Sequence, residues 1–166
     1  MSGSGVRPRA LVITASDRSA AGEREDASGA VVEELLEDAG FDVDRSILPD
    51  DLDVISAALV DGSATHQLIV TTGGTGLTPR DVTPQATLAV IDHEVPGLAE
   101  AMRAAGLRTT PMAALSRGVV GVRGRTLIVN LPGSPRGARE SLEAIVETLP
   151  HAVEMLAGPV DHETGR

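Results

Sequence analysis

Threonine and glycine residues follow a short apolar run near the middle of the chain, and their types suit the binding of an anion. The run at 68–70 is apolar and β-branched, which predicts a buried strand. The segment T-T-G-G-T-G at 71–76 comes directly after it. Glycines let a ligand approach the backbone, and hydroxyl and amide groups donate hydrogen bonds to phosphate. The stretch therefore predicts a phosphate-binding loop; the alternative is a tight strand-to-helix turn that needs glycine without any ligand.

Charged residues beside this loop could offset the charge of an anionic ligand. Arg80 and Asp81 follow the glycines, and Asp50 follows an earlier predicted strand. Carboxylates hold Mg²⁺ in many phosphate sites, so Asp50 and Asp81 could share one divalent cation. The alternative for Asp50 is helix capping, the role that we assign to its neighbour Asp51.

Two further polar loops follow predicted strands, at 15–19 and 130–135. In the second of these, Ser134 and the first amides of the next helix form another anion-binding end. The carboxyl ends of parallel strands meet at one edge of a sheet. We therefore expect these loops and the segment 73–81 to converge on one ligand site.

The glycine loop differs from two common nucleotide-binding motifs. It lacks the lysine of a P-loop, and Pro79 stands where the third glycine of G-x-G-x-x-G would fall. None of the four histidines lies beside a loop serine, as a nucleophile and its base would. The residues predict a Mg²⁺-assisted site for a nucleotide or another phosphorylated ligand, with Arg80, Arg117 or Arg136 offsetting phosphate charge.

Apolar runs and helical periodicity alternate along the chain. Gly40 and Gly106 end two predicted helices, and Pro150 breaks a third. Thr83 precedes a proline and is predicted to cap a helix, while Gly124 forms a tight turn between two short strands. We expect an α/β fold with three α/β/α layers and a mostly parallel sheet that contains one antiparallel hairpin. The predicted strands lie at 10–14, 41–48, 68–70, 119–122 and 126–129, and the predicted helices at 26–39, 52–61, 84–91, 95–105, 136–149 and 151–156.

Composition narrows the class of protein. The 166 residues predict one domain at 9–158, with a flexible N-terminal tail at 1–8 and a polar C-terminal tail at 159–166. The absence of cysteine excludes disulfides and thiolate metal sites. A net charge of −10 and a single aromatic residue argue against nucleic-acid binding. No apolar run has the length of a membrane span, so we expect no membrane partner and a cytoplasmic location.

Three strings resemble the signatures of the molybdenum cofactor biosynthesis family. They are T-T-G-G-T-G-L-T-P-R-D-V-T-P-Q-A-T at 71–87, L-S-R-G at 115–118 and N-L-P-G-S-P at 130–135, and the resemblance covers 9–158. The family includes MogA/MoaB-type proteins, the G domain of gephyrin and an N-terminal domain of CinA-type proteins. The resemblance implies that family's fold and a Mg²⁺-dependent adenylylation of molybdopterin by ATP, with pyrophosphate as the second product.

The resemblance also implies site residues and partners. The family's catalytic aspartates match Asp50 and Asp81, which would hold Mg²⁺, and its active-site serine matches Ser116. Family members are commonly trimers, so the resemblance implies a homotrimer, with molybdopterin and ATP as substrates and a molybdenum insertase as a candidate partner. The matching substrate- and nucleotide-binding positions are Ser16, Asp17, Thr72, Gly73, Gly74, Thr75, Gly76, Arg80, Asn130, Pro132, Gly133 and Ser134.

Other functions remain open at this point. The chain could be a non-catalytic MoaB-type member that binds molybdopterin or nucleotide, or that acts as a scaffold. A nucleotide-pyrophosphate hydrolase of the CinA type ranks lower, because those relatives carry a large extra C-terminal domain whereas this chain ends at Arg166. A purely structural α/β module would leave three polar loops at one sheet edge unexplained.

Overall fold

A computed structural model describes residues 5–158 of the chain. The predicted tail at 159–166 and the first four residues of the predicted tail at 1–8 lie outside the described residues. Arg7, which falls in that N-terminal segment, donates hydrogen bonds to the carbonyl oxygens of Glu37 at 2.7 Å and Gly40 at 3.1 Å. These bonds fix the Arg7 side chain against the end of the first long helix.

One mixed sheet of six strands forms the centre of the molecule. The strands are β1 (Arg9–Ala15), β2 (Asp42–Leu48), β3 (Leu68–Thr72), β4 (His93–Glu94), β5 (Val120–Arg123) and β6 (Thr126–Leu131). Their order across the sheet is β2-β1-β3-β6-β5-β4. β2, β1, β3 and β6 run parallel, whereas β5 is antiparallel to β6 and to β4. The mostly parallel sheet and its hairpin are confirmed, and the short edge strand β4 forms where no strand was predicted.

Helices cover both faces of this sheet. Alternate residues of each buried strand pack on opposite faces, as the pleat requires: Val12 and Val70 join one core cluster, and Ile13 and Ile69 join the other. The helices are α1 (Asp17–Ala20), α2 (Ala27–Asp38), α3 (Leu52–Ser63), α4 (Thr83–Leu88), α5 (Pro96–Leu107), α6 (Pro135–Glu143) and α7 (Leu149–Leu156), with 3₁₀ turns at Pro111–Leu115 and Val146–Thr148. Residues of α2, α5, α6 and α7 complete the first cluster and residues of α3 and α4 the second, which confirms the three α/β/α layers.

Three predicted helix boundaries are wrong. Thr83 is the first residue of α4 instead of its cap: Val82 precedes the helix, and the Thr83 hydroxyl accepts no hydrogen bond within residues 5–158, while its backbone N–H donates to the Gly74 carbonyl oxygen at 3.1 Å. α5 continues through Gly106, where glycine serves packing: a Cβ there would lie 2.7 Å from the Ala113 methyl group. Pro150 falls in the first turn of α7, where a missing N–H costs no hydrogen bond. The predicted helix at 136–149 ends at Glu143 instead, and a 3₁₀ turn at Val146–Thr148 separates it from α7.

Two N-caps fix the starts of the long helices beside the site, and the one predicted at Asp51 is confirmed. The carboxylate of Asp26 accepts a hydrogen bond from the Gly29 N–H at 3.0 Å at the start of α2. The carboxylate of Asp51 accepts one from the Val54 N–H at 3.0 Å at the start of α3. Each bond satisfies an N–H that has no partner inside its helix.

Candidate functional site

The polar loops converge at the carboxyl edge of the sheet. β1, β2, β3 and β6 end there side by side, at Ala15, Leu48, Thr72 and Leu131. Because all four strands are parallel, every segment that follows them emerges on the same side of the molecule. Two adjoining clefts open at this edge.

The first opening, which we call the polar cleft, has a volume of about 360 Å³. Its wall also includes Thr14, Ser28 and Asp26, which lie at the end of β1 and the start of α2. The predicted site residues in its wall are Ser16, Asp50, Thr72, Gly73, Gly74, Asp81, Gly133 and Ser134.

The second opening, which we call the apolar cleft, has a volume of about 300 Å³. Met102, Met112 and Leu115 from α5 and the following 3₁₀ turn form its apolar wall. Ser134 lines both openings, so the two clefts meet at the start of α6. The predicted site residues in this wall are Thr75, Gly76, Ser116, Asn130, Pro132 and Ser134.

Backbone geometry explains two glycines of the central loop. Gly73 and Gly74 have φ values of +89° and +69°, a region that favours glycine. A Cβ on Gly73 would collide with the carbonyl oxygen of Ala15, and a Cβ on Gly133 would lie 3.1 Å from the Gly73 Cα. The loops after β3 and β6 therefore touch through bare backbone in the wall of the polar cleft, beside Ser134, which lines both clefts; we call this contact the ridge between the clefts.

Asp50 presents a carboxylate oxygen without a protein partner. Its Oδ2 accepts a hydrogen bond from the Asp17 N–H at 3.1 Å, while its own N–H donates to Asp17 Oδ1 at 3.0 Å. Its Oδ1 is buried and has no hydrogen-bond partner within residues 5–158. Burial raises the pKa of the Asp50 carboxyl above its usual value, and the negative charges of Asp17 and Asp81 act in the same direction. An acceptor atom in this position is suited to a cation.

Asp81 also lines the polar cleft, from the loop after β3. Its Oδ2 accepts hydrogen bonds from the N–H of Thr78 at 3.0 Å and from the Thr78 hydroxyl at 2.8 Å. No group of three or more acidic or histidine side chains is arranged to hold a metal in the described part of the chain. Two carboxylates nevertheless fit Mg²⁺, because that ion takes its other ligands from water and substrate phosphates.

Asp17 and Arg80 bind each other and line neither cleft. Arg80 donates from Nε and Nη2 to the Asp17 carboxylate at 2.9–3.0 Å. These hydrogen bonds hold the pKa of the Asp17 carboxyl below its usual value, and the bond from the Asp50 N–H adds to the effect. The pair joins the loop after β1 to the loop after β3, beside Asp50 rather than inside the cleft.

The Asn130 side chain lies in the wall of the apolar cleft, and its amide already forms hydrogen bonds with other groups of the protein. It is only 2% exposed; its Nδ2 donates to the hydroxyls of Thr71 at 3.1 Å and Thr87 at 3.0 Å, and its Oδ1 accepts from the Val119 N–H at 3.2 Å. The amide thus ties β3, α4 and the residue before β5 to β6. Ser116 differs, because its Oγ accepts from the Gly118 N–H at 3.3 Å and its hydroxyl proton can still be donated into the apolar cleft.

A comparison with protein families identifies the chain. The sequence profile of the family described as "Probable molybdopterin binding domain" matches residues 11–151. The chain belongs to this family.

Full-length relatives and solved structures agree with that membership. The chain is 40% identical over 152 residues to the molybdopterin adenylyltransferase of Helicobacter pylori strain J99, an alignment that covers 89% of this chain and 86% of the relative. It matches the crystal structure of the molybdopterin biosynthesis enzyme MoaB from Thermus thermophilus with a TM-score of 0.86 and 52% identity, over 92% of this chain and 98% of that one. It also matches the Mog protein of Mycobacterium ulcerans with a TM-score of 0.87 and 43% identity, over 93% of this chain and 100% of that one.

Sequence reasoning missed several residues of this molybdopterin-binding domain. Thr14 at the end of β1 and Ser28 in the first turn of α2 line the polar cleft beside Asp26, and their positions at a strand end and a helix start were detectable signals. Met102 and Met112 line the apolar cleft, and nothing in their local sequence marked them, since α5 and its 3₁₀ turn reach the site only through tertiary packing.

Two of the arginines that were candidates for phosphate contacts are engaged elsewhere. Arg136 lies on the outer side of α6, where it pairs with Glu140 at 3.1 Å and its side chain is 79% exposed. Arg117 donates to carbonyl oxygens of the glycine loop.

Among residues 5–158, no helix combines the length and apolar character needed to cross a bilayer.

Proposed function

We propose that this protein adenylylates molybdopterin with ATP. An oxygen of the terminal phosphate of molybdopterin forms a bond to the α-phosphorus of ATP. The bond from that phosphorus to the bridging oxygen breaks, and pyrophosphate leaves. The relatives named molybdopterin adenylyltransferase support this activity, because they align over most of both chains.

One structural observation carries the proposal for this chain. Two clefts of comparable volume adjoin at a ridge of bare backbone, where Gly73 contacts Gly133 and Ser134 faces both sides. A transfer between two substrates needs two binding spaces whose contents meet at one point. The phosphorus under attack would lie at this ridge, where the loop amides and the N-terminus of α6 can donate to its oxygens.

The polar cleft is the proposed place of the triphosphate and Mg²⁺. Asp50, through the unpartnered Oδ1, and Asp81 would hold the ion. When bound, Mg²⁺ would offset the charge of the polyphosphate. This contribution matters in a chain of net charge −10, whose overall field opposes the approach of an anion.

The apolar cleft is the proposed place of a substrate ring system. Thr75 and Ser116 supply hydroxyl groups there, while Met102 and Met112 supply adaptable apolar surface. Pro132 and the backbone near Asn130 complete the wall. Since the nucleophile belongs to the substrate itself, the site needs to position and shield the reacting groups rather than supply a nucleophilic side chain.

We further propose a homotrimeric, cytoplasmic protein that delivers its product to a molybdenum insertase. These proposals rest on the resemblance of the chain to MogA/MoaB-type proteins. Light scattering on the purified protein tests the assembly: a mass three times that of the 17.1 kDa chain is expected, and a monomeric mass would contradict it.

A direct assay tests the reaction. Purified protein is mixed with ATP, Mg²⁺ and molybdopterin, and the release of pyrophosphate and the formation of adenylyl-molybdopterin are followed. We expect product only when both Mg²⁺ and the pterin are present, and we expect chelation by EDTA to abolish it. Pterin binding without product would overturn the catalytic proposal in favour of a binding or scaffold role.

A further inference from the structure

The side chain of Arg117 joins the two clefts through backbone contacts. Its Nε donates to the carbonyl oxygen of Gly76 at 2.8 Å, and its Nη2 donates to the carbonyl oxygen of Asp81 at 2.8 Å. Its Nη1 donates to Gln85 Oε1 at 3.2 Å, and its backbone N–H donates to the Thr75 carbonyl oxygen at 2.9 Å. One residue therefore bonds four positions of the segment 75–85.

The two ends of this connection carry different parts of the site. Arg117 directly follows Ser116, whose hydroxyl lies in the apolar cleft. The segment that it binds carries Asp81, whose carboxylate lies in the polar cleft. Leu77 in that segment is 65% exposed, so it adds no apolar packing that would hold this part of the loop.

The hydrogen bonds of this guanidinium commit it to the protein at each nitrogen. Nε, Nη1 and Nη2 each donate to a protein oxygen, and only the second N–H of Nη1 and of Nη2 is left without a bond in residues 5–158. The planar guanidinium of arginine can donate to all three oxygens at once, whereas the ammonium group of a lysine cannot reproduce this geometry.

We propose that Arg117 is a positioning residue that fixes Asp81 relative to Ser116, and so aligns the contents of the two clefts for transfer. The proposal rests on the proposed function. It assigns to Arg117 control of the geometry at the metal-binding carboxylate rather than contact with a substrate.

The test compares Arg117→Ala and Arg117→Lys with the surface control Arg139→Ala, which removes only an exposed pair with Glu143. Hydrogen exchange of 76–85 is measured on each full-length variant. Mn²⁺ affinity is measured in the presence of a non-hydrolysable ATP analogue, without pterin. Removing a group that orients a metal ligand typically weakens metal affinity or activity about 10–100-fold.

For Arg117→Ala we expect faster exchange across 76–85, Mn²⁺ affinity about 10–100-fold lower and a fall in kcat larger than the change in KM for ATP. Arg117→Lys should recover only part of each effect, and it keeps the test open if the alanine variant fails to fold. Arg139→Ala should match the wild type in every measurement. Wild-type exchange and Mn²⁺ affinity in a folded Arg117→Lys variant would overturn the proposal.

A comparison variant separates the two sides of the connection. Arg103 donates to the carbonyl oxygens of Ser116 at 3.4 Å and Gly118 at 2.8 Å, but it makes no hydrogen bond to 76–85. Arg103→Ala should speed exchange near Ser116 and leave 76–85 protected, and equal loosening of both segments would contradict a specific role for Arg117. If wild-type protein yields no adenylylated product, the proposed function fails, while the exchange and Mn²⁺ measurements still decide the role of Arg117.

Discussion

Asp50→Asn should lower kcat at least about a hundredfold and leave the protein folded. The amide can keep its oxygen toward the Asp17 N–H, so the hydrogen bond of 3.1 Å that orients the side chain survives. Its NH₂ group then takes the place of the unpartnered Oδ1, where a donor cannot bind a cation. Steady-state pyrophosphate release, with Mg²⁺ varied at saturating ATP, measures the loss.

The neighbouring residue provides a matched control. Asp51 caps α3 through the Val54 N–H, and asparagine is an equally good N-cap. Asp51→Asn should therefore change neither turnover nor stability, although it removes the same charge one position away. Equal losses in the two variants would show that the effect arises from net charge near the cleft and not from a ligand at position 50.

Stability should respond to Asp50→Asn in the opposite direction from activity. The pKa of the Asp50 carboxyl is raised in the folded state, chiefly by burial. A raised carboxyl pKa means that folding favours the protonated form, so ionisation lowers stability as the pH rises through the folded-state value. The asparagine variant cannot ionise, and its free energy of unfolding at about pH 7 should equal or exceed that of the wild type.

The pH dependence of that difference distinguishes a strained functional carboxylate from a structural one. Denaturant unfolding of both proteins should show the advantage of Asp50→Asn shrinking toward about pH 4, near the unfolded-state pKa of aspartate. A variant that is less stable than the wild type at neutral pH would mean that Asp50 is a structural cap. A second buried polar atom near Asp50 also lacks a hydrogen bond: the hydroxyl oxygen of Thr83 is buried beside Gly74 and has no hydrogen-bond partner within residues 5–158.

Local sequence signals predicted most of the fold because the interactions behind them are local. Asp26 and Asp51 cap helices three residues ahead, and alternation along each buried strand follows from the pleat. The errors at Thr83 and Gly106 have a tertiary cause, since the first is bound to the glycine loop and the second leaves room for Ala113. The residue pattern within one segment carries no information about where another segment packs against it.

In the candidate site, too, local sequence predicted some features, and tertiary contacts determine the others. Motifs indicated residues of both clefts, and the structure places nearly all of them at one edge of the sheet. Residue type did not reveal which groups are already occupied: the Asn130 amide is held by three protein groups, and Asp17 and Arg80 hold each other. An amide or a guanidinium has the same donors whether it faces a ligand or a carbonyl, so only the distances decide its role.

Gly73→Ala should destabilise the protein by about 2–5 kcal/mol, the largest stability effect that we expect from one methyl group. A left-handed φ costs a side chain about 1–2 kcal/mol, and overpacking at a rigid contact costs about 1–3 kcal/mol more. At Gly73 the φ is +89° and the obstacle is the backbone oxygen of Ala15 in β1, which cannot turn aside as a side chain could. Urea unfolding with a constant m-value measures the loss.

Gly22→Ala separates the two costs, because Gly22 has a φ of +74° and no atom within 4 Å of the added methyl group. It should lose only the cost of the left-handed φ, about 1–2 kcal/mol, and keep full turnover. The difference between the two variants is then the energetic cost of separating the loop after β3 from the end of β1. If Gly73→Ala lost no more than Gly22→Ala, the loop would be able to move away from β1, and the close backbone contact between Gly73 and Ala15 would not be a fixed feature of the site.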